Sequence, residues 1–373
     1  MTRICYVIPS LNVGGTEKQL LALMQELVHD HEVTVVCTND AGALGGDARR
    51  LGAYVRELHV RGGWNFRMRS RLRRVFRSHR PDVLHTFLFG FDYQANLAAR
   101  DTGVPVVISS RRQLATWKKR RHIRLQRKAN RLVDCVVANS QAVAKYAIDQ
   151  ENADPALFRV IPNGVNVDAF KTPADLGQVR TRYGIPPKKR VVGIVANFSP
   201  VKDYPFFGQI AIRLLERRHD VHFLAVGSGP LLKRVQQLFK VAGLNDYFTQ
   251  IVTLSKMADV YSIMDVSVLC SISEGCPNAV MEAMAARRPV VAASVGGVPE
   301  IIQDGETGRL IDGRDPEPFA EAIDALLSDQ REAQRMGAAA QAYVRENLSM
   351  ERTADAYSKL YAELLIRTSR NGA

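Results

Sequence analysis

The 373-residue sequence lacks the features of an exported or membrane-spanning protein. Met1–Arg3 leads directly into a short apolar segment, with no apolar h-region of the length that a signal peptide needs. No apolar run approaches the roughly 20 residues that cross a bilayer. We therefore expect a cytoplasmic protein, at most peripheral at the inner face of a membrane.

Cysteine is scarce and irregularly spaced. The sequence has five cysteines, an odd count with no Cys-x-x-Cys pair, which disfavours both a disulfide framework and a zinc site. We expect reduced core residues. The cysteines are Cys5, Cys37, Cys135, Cys270 and Cys276.

Several ligand signatures are also missing. The chain contains no Asp-x-Asp, so a metal bound through that signature is not expected, and it contains neither a Gly-x-Gly-x-x-Gly nor a Walker A loop. We therefore expect no metal ion and no permanently bound cofactor.

Acidic residues are absent between Asp101 and Asp134, and the net charge of +13 is unevenly distributed. Met1–Phe170 has 26 Lys and Arg against 15 Asp and Glu, so it carries most of the excess. Two stretches, Arg61–Arg80 and Arg111–Arg131, hold it. Such stretches suit nucleic acid, anionic lipid or a phosphate-bearing substrate, although a solvated basic face without a partner is the alternative.

The first basic stretch alternates arginines with apolar residues. From Phe66 onward the spacing predicts an amphipathic helix that could rest on a membrane surface. No zinc finger or RNP-like motif accompanies the charge, so we do not expect nucleic acid as a partner. We predict that a set of these cations lies on the side of the protein that binds either a membrane or a second substrate, which we call the acceptor. They are Arg67, Arg71, Arg74, Arg111, Arg112, Lys118, Lys119, Arg120 and Arg121.

Short β-branched runs alternate with helix-length segments, and this pattern restarts after a Pro- and Gly-rich linker at Pro162–Gly177. Alternation of this kind predicts two α/β domains with doubly wound parallel sheets and a cleft between them. We place the domains at 1–168 and 169–349, and we expect the C-terminal helix 350–373 to complete the first. The predicted strands are Arg3–Pro9, Glu32–Cys37, Asp82–Phe87, Val104–Ser109, Val133–Asn139, Arg190–Phe198, His222–Gly229, Thr249–Leu254, Asp265–Ser271 and Pro289–Ser294.

Ligands of open α/β sheets bind beyond the carboxyl ends of the strands, so the candidate residues are those that follow strands. Gly14-Gly15 follows the first strand, with Thr16 as the expected N-cap, and offers backbone amides to an anion. Lys202 follows the first strand of the second domain and suits a phosphate. Gly227 and Gly229 keep a third junction open, with Pro230 as the expected first helical residue. Structural turns and a surface lysine are the alternatives.

Two glutamates mark the junction "SEGCPNAVMEAM" (Ser273–Met284), with Glu274 in a loop and Glu282 in the helix that Pro277 is expected to begin. Hydroxyl groups bind well to carboxylates, and the free amides of a helix start suit a diphosphate between them. A nucleotide sugar has hydroxyls at both ends of a diphosphate. The alternative is a turn glutamate and an exposed helix charge.

These motifs resemble those of retaining glycosyltransferases of the GT-B architecture, in glycosyltransferase family 4. "GGTE", "IPNGVNVDAF", "VKD", "VGSGP", "EGCPNAVMEAMAARRPVV" and "GGVPEIIQDGETG" occur in the family's order along nearly the whole chain. The resemblance implies two Rossmann-like domains facing a cleft, a nucleotide-sugar donor, and retention of anomeric configuration.

The resemblance also implies residue roles. Glu274 should contact hydroxyls of the transferred sugar, Glu282 the ribose, and Lys202 with the Gly14-Gly15 loop the diphosphate, while His85 should approach the reacting sugar or the acceptor. We take Glu274, Lys202 and His85 as catalytic candidates. The donor-binding set is Gly14, Gly15, Asn197, Lys202, Gly227, Gly229, Glu274, Gly275, Cys276, Asn278, Ala279 and Glu282.

The sequence departs from the family pattern at two positions. Asn197 stands where the family usually has an arginine, so one diphosphate cation is missing unless Arg111, Arg112 or Arg309 replaces it. Phe87 stands where many members have a second histidine near His85.

We expect transfer of a sugar, most simply from a UDP-sugar, to a glycan, glycolipid or lipid-linked acceptor, without a metal. The alternatives are a nucleotide-sugar epimerase or hydrolase of the same fold, and a weakly active sugar-nucleotide-binding protein.

Overall fold

The computed structural model describes residues 1–60, 66–173, 175–252 and 256–371. The chain forms two compact units. One combines Met1–Gly164 with the C-terminal segment from Met350, and the other is Val165–Ser349. The division thus falls at 164/165, four residues before the boundary expected from the sequence.

The first unit is built on a parallel sheet whose strands lie in the order β3-β2-β1-β4-β5-β6-β7. Its strands are β1 (Thr2–Ile8), β2 (His31–Cys37), β3 (Tyr54–Glu57), β4 (Val83–Thr86), β5 (Val106–Arg111), β6 (Cys135–Ala138) and β7 (Phe158–Val160). Its helices are α1 (Gly15–Leu27), α2 (Gly45–Arg50), α3 (Phe66–His79), α4 (Asp92–Asp101), α5 (Arg120–Asn130), α6 (Gln141–Glu151) and α14 (Met350–Asn371).

The second unit has a parallel sheet in the order β10-β9-β8-β11-β12-β13. Its strands are β8 (Arg190–Val195), β9 (Val221–Val226), β10 (Phe248–Ile251), β11 (Val266–Leu269), β12 (Val290–Ala293) and β13 (Arg309–Ile311). Its helices are α7 (Leu176–Arg182), α8 (Tyr204–Arg217), α9 (Leu232–Val241), α10 (Met257–Ser262), α11 (Asn278–Ala285), α12 (Pro316–Ser328) and α13 (Gln330–Asn347).

The central strands of both sheets are buried along most of their length because helices cover both faces of each sheet. The ten predicted strands are present within a few residues of their expected bounds, although Thr253 and Leu254 lie outside the described residues. The sequence analysis missed β3, β7 and β13. These strands lie at sheet edges and are short, and each has at least one exposed residue, so they carry little apolar signal.

The C-terminal helix expected at 350–373 is present as α14. Helix α13 ends at Asn347, and α14 begins at Met350 and belongs to the first unit. The inward face of α14 packs against α1 and the first sheet through Met350, Tyr357 and Tyr361.

The amphipathic helix predicted from Phe66 is present as α3, but its apolar face is not available to a membrane. Met68, Leu72, Val75 and Phe76 are buried in the core of the first unit. Core packing against α4 therefore explains the apolar spacing that the sequence analysis interpreted as membrane-facing.

Each sheet has one point at which the order of strands along the chain reverses. It lies between β1 and β4 in the first unit and between β8 and β11 in the second. Loops that leave the carboxyl ends of these strands diverge and leave room for a ligand. The residues that follow β8 and β11 are therefore the first place to look for a site.

Candidate active site

Lys202 and Glu274 meet at the reversal point of the second sheet. Lys202 ends the short turn Pro200–Lys202 after β8, and Glu274 lies in the loop after β11. The Lys202 Nζ donates to Glu274 Oε1 over 2.5 Å, and the two side chains are 24% and 9% exposed. These residues were expected to bind different parts of a ligand, whereas the structure pairs them.

Glu282 is held on helix α11 by a tyrosine that the sequence analysis did not single out. The Tyr261 hydroxyl donates to Glu282 Oε2 over 2.9 Å and also approaches the Ala279 carbonyl oxygen. Burial of Tyr261, together with the negative charge of Glu282, raises the tyrosine pKa well above its usual value, so this hydroxyl stays a donor. Tyr261 thereby fixes the orientation of the carboxylate.

Helix α11 begins one residue later than predicted. Pro277 is the N-cap and the helix runs from Asn278, because a proline with extended backbone geometry suits the residue before the first helical turn. Gly275 and Cys276 are buried in the preceding loop, and Asn278 and Ala279 form the helix start.

The loops after β8 and β9 are bound to each other, which explains two of the predicted glycines. Gly227 and Gly229 have φ of 149° and 152°. A Cβ at Gly227 would collide with the Ala196 carbonyl oxygen, and one at Gly229 would lie 2.6 Å from the carbonyl oxygen of Phe198. These glycines are required by the close approach of the two loops. Asn197 is exposed on the first of these loops.

Pro230 is not the first helical residue as predicted, because α9 begins at Leu232. In the intervening turn, the Leu231 amide donates to the Phe198 carbonyl oxygen over 3.1 Å.

The glycine loop of the first unit carries a carboxylate of its own. Gly14 is the N-cap of α1, so the predicted cap Thr16 lies inside the first turn, and no side chain caps the helix. The Glu17 carboxylate lies over Gly14, where an added Cβ would collide with it. Burial raises the pKa of Glu17. In this arrangement an acidic group already occupies the side of the loop that was assigned to a diphosphate.

His85 is enclosed in the core of the first unit, between β4 and α14. Its Nδ1 lies 2.9 Å from the Tyr361 hydroxyl, its Nε2 lies 2.8 Å from the Ser110 hydroxyl, and the side chain has no exposed surface. Burial, with the charge of Arg112 nearby, lowers the pKa of His85 well below its usual value. His85 was expected to approach a substrate. In the structure it is instead buried and links α14 to the sheet.

Two of the cations assigned to the acceptor or membrane side are interior residues. Arg111 and Lys118 both contact Glu151, at 3.0 and 3.3 Å, and their side chains are 7% and 8% exposed. Asn130 also donates to this carboxylate. Buried charges persist only when paired in this way, so Arg111 and Lys118 are not surface cations, and Arg111 does not replace the missing diphosphate cation.

Arg112 and Arg309 also have partners. Arg112 donates to Asn163 over 2.5 Å and to the Tyr357 hydroxyl over 3.2 Å, within the first unit. Arg309 lies on edge strand β13 with its Nε 4.0 Å from Asp304 Oδ1.

The remaining assigned cations lie on the surface of the first unit. Lys119, Arg120 and Arg121 are exposed at the start of α5, and Trp117, 53% exposed, contacts the ring of Phe89 beside them. We call these five residues the Trp117 patch. Phe89 and Trp117 follow β4 and β5, so the patch lies at the carboxyl edge of the first sheet. Arg67, Arg71 and Arg74 are exposed on α3.

The described part of the chain shows no cluster of three His, Cys, Asp or Glu side chains placed to hold a metal. Across the same residues, no helix is both long and apolar enough to cross a bilayer. All five cysteines are free and buried, which confirms that they are core residues.

Two family models match the chain, one in each half. Residues 13–169 match "Glycosyltransferase Family 4", and residues 177–343 match "Glycosyl transferases group 1". Together the two matches span most of both units, in the family's order. The chain belongs to the GT-B glycosyltransferases of family 4.

Curated relatives of this family 4 protein include D-inositol 3-phosphate glycosyltransferases. The one from Geodermatophilus obscurus is 35% identical over 239 residues, 61% of this chain and 52% of that protein. The one from Mycobacterium marinum is 33% identical over 236 residues, 61% of this chain and 50% of that protein. The matches thus span about half the length of these relatives.

Solved structures show the same fold at low sequence identity. Anabaena Alr3699/HepE, in complex with UDP and glucose, has a TM-score of 0.86 at 19% identity, covering 97% of this chain and 100% of that one. Sucrose-phosphate synthase from Thermosynechococcus elongatus has a TM-score of 0.81 at 18% identity, covering 98% and 100%. The predicted fold class is therefore confirmed.

Proposed function

We propose that this protein transfers a sugar from a nucleoside diphosphate sugar, a UDP-sugar in the simplest case, to an acceptor hydroxyl with retention of configuration. The observation that carries the proposal is the Lys202–Glu274 pair at the reversal point of the second sheet. A cation beside a carboxylate suits a ligand that presents a phosphate next to sugar hydroxyls. The relatives' names support sugar transfer, and the UDP and glucose found with HepE support the same ligand class.

The pair would exchange partners when the donor binds. Lys202 would turn from Glu274 to the diphosphate and stabilise the negative charge that develops on the leaving group. Glu274, released from the cation, would accept a hydrogen bond from a hydroxyl of the sugar. Glu282, oriented by Tyr261, would accept from the ribose.

We propose front-face substitution for the reaction. The bond from the anomeric carbon to the phosphate oxygen breaks, and the bond to the acceptor oxygen forms on the same face. The acceptor proton passes to the departing phosphate oxygen, so no protein base is required. We propose that the reaction is independent of metal, in which case turnover in excess EDTA should equal turnover without it.

Replacing Lys202 tests the proposal. Lys202→Ala should reduce turnover of a nucleotide sugar by about 10²- to 10³-fold, because the leaving group loses its cation. Glu274→Gln should reduce turnover while keeping a hydrogen-bonding side chain. The measurement is steady-state transfer across UDP-, GDP-, ADP- and dTDP-sugars, with thermal melting to show that the variants fold.

Lys240→Ala is the matched control, because Lys240 is exposed on α9 of the same unit. Near-normal turnover by Lys202→Ala would contradict the proposal. Donor turnover as fast without an acceptor as with one would favour the epimerase or hydrolase, and binding without product would favour the weakly active binding protein.

For the acceptor we propose an anionic molecule that binds at the Trp117 patch, either a glycan or a lipid-linked one. The patch combines an exposed indole ring with three exposed cations at the carboxyl edge of the first sheet. Tryptophan and basic side chains are the combination that binds at the surface of anionic membranes. Attachment to such a surface would make the protein peripheral.

Vesicle binding tests this part of the proposal. Trp117→Ala should weaken binding to vesicles with anionic lipid at low salt by about tenfold, and vesicles of neutral lipid should bind neither protein. Tyr54→Ala is the control, since Tyr54 is a comparably exposed aromatic residue on edge strand β3, in contact with His79. Equal effects of the two substitutions, or no binding by the unsubstituted protein, would contradict a membrane-bound acceptor.

A further inference from the structure

The loop that carries Lys202 is attached to the segment that carries Glu274 by one backbone hydrogen bond and one thiol contact. The Ile272 amide donates to the Val201 carbonyl oxygen over 2.8 Å. The Cys270 thiol lies 3.7 Å from the Lys202 carbonyl oxygen. These contacts fix the backbones of the two segments relative to each other close to Lys202 and Glu274.

Arg314 makes a third connection between the same two segments. It follows β13, which lies two strands from β11 in the sheet. One guanidinium nitrogen pairs with the Asp203 carboxylate, and another donates to the Cys270 carbonyl oxygen over 2.8 Å. The guanidinium also lies over the Phe206 ring, 3.9 Å from its centre. One planar group therefore joins the residue after Lys202 to the end of the strand that leads to Glu274.

The backbone conformation of Asp203 depends in part on its ion pair with Arg314. Its backbone is left-handed, with φ of 49°, and its carboxylate also caps α8 by accepting from the Phe206 amide over 3.3 Å. A non-glycine residue keeps such a conformation only when its surroundings hold it. The ion pair with Arg314 is one of those restraints, and a change in the Asp203 backbone would move Lys202 directly.

We propose that Arg314 is a positioning residue that fixes Lys202 in register with Glu274. This inference rests on the proposed function, because it concerns the efficiency of that site. Arg314 does not act as the missing diphosphate cation, since its guanidinium is already bound to a carboxylate, a carbonyl oxygen and an aromatic face. A lysine would keep the charge but not the planar fork that reaches two partners at once.

Arg314→Lys and Arg314→Gln test the inference. A displacement of the Lys202 ammonium by about 1 Å costs up to about 10²-fold in rate, so we expect both variants to lose at least tenfold in kcat. The KM for the donor and the Kd for UDP should stay within about threefold. The measurements are transfer kinetics, UDP titration calorimetry and thermal melting.

Arg218→Lys is the matched control. Arg218 lies at the opposite end of α8, its side chain is 17% exposed, and it bridges Asp220 and Asp324. A purely structural role for Arg314 predicts equal losses of melting temperature and kcat in the two lysine variants. That result, or full kcat in Arg314→Lys, overturns the inference. A large loss of UDP affinity with unchanged kcat would show that Arg314 binds the diphosphate and would also overturn it.

A crystal structure of Arg314→Gln separates this inference from the proposed function. Loss of the Lys202–Glu274 contact supports the positioning role even if the unsubstituted protein transfers no sugar from any nucleotide donor tested. Retention of the contact at its original distance counts against it, whatever the activity.

Discussion

At the scale of single residues, the Glu17 carboxylate places a negative charge beside the glycine loop of the first unit. The carboxylate lies over Gly14 at the start of α1, and its partial burial raises its pKa. A second anion at the same helix start would meet this charge at short range. A diphosphate bound at this loop, as the resemblance implies, would be opposed by the Glu17 charge.

We predict that Glu17→Gln binds UDP about tenfold more tightly, because the substitution removes one negative charge while keeping the shape of the side chain. Titration calorimetry measures the change. Glu26→Gln provides the control, since Glu26 lies on the same helix near its other end. An unchanged or weaker affinity in Glu17→Gln would show that the diphosphate does not approach Gly14.

Residue roles were only partly predictable from the sequence. The positions of Lys202 and Glu274 after two strands, and of Glu282 on the following helix, were predictable. The distance of a residue from the end of a strand can be counted along the sequence. Tyr261, Arg314 and Glu17 were not singled out from the sequence. Nothing in their local sequence shows that they contact Glu282, Asp203 and Gly14.

At the scale of elements, the loops after β8 and β9 act as one unit because their backbones are in direct contact. The Phe198 amide donates to the Ser228 carbonyl oxygen over 2.8 Å, and the Phe198 carbonyl oxygen accepts from Leu231. Such contact requires that no side chain project from Gly229. The stability of this junction and the placement of Asn197 are therefore linked.

We predict that Gly229→Ala lowers the free energy of unfolding by roughly 3 kcal/mol, combining backbone strain with a collision at the Phe198 carbonyl oxygen. Gly243→Ala should lower it by only about 1 kcal/mol, because Gly243 also has a positive φ, of 71°, but open space around it. Urea unfolding of both variants gives the comparison. Equal losses would mean that the loop contact adds nothing.

Element positions illustrate why edge strands escape sequence analysis. Central strands such as β6 (CVVA) and β12 (VVAA) are buried along their whole length and read as uninterrupted apolar runs. Edge strand β3 has two exposed residues of four, so its pattern resembles that of a loop. Only the pairing with β2 identifies it.

At the scale of the whole molecule, the two units differ in their independence. The core clusters of the second unit draw all their residues from Val165–Ser349. A core cluster of the first unit includes Tyr357 and Tyr361 of α14, which the chain supplies only after the second unit is complete. The first unit therefore depends on both ends of the chain.

We predict that the fragment 165–349 folds alone and melts cooperatively, because its apolar faces are covered by its own residues. The fragment should also bind UDP, since the Lys202–Glu274 pair lies within it. The fragment 1–164 should be insoluble, because removal of α14 uncovers the core beside His85. Circular dichroism, melting and UDP titration test these outcomes, and a soluble, cooperatively melting 1–164 fragment would contradict the role given to α14.

The alternation of strands and helices, the two-part organisation and the residues that follow strand ends were predictable from the amino-acid order, because each of these depends on neighbours along the chain. Which charged side chains are interior and which lie on the surface depends instead on how the chain folds. Arg111 and Arg120 stand in the same basic stretch, yet one is buried against Glu151 and the other is exposed. Pairing between distant residues, which leaves no local pattern, makes that difference.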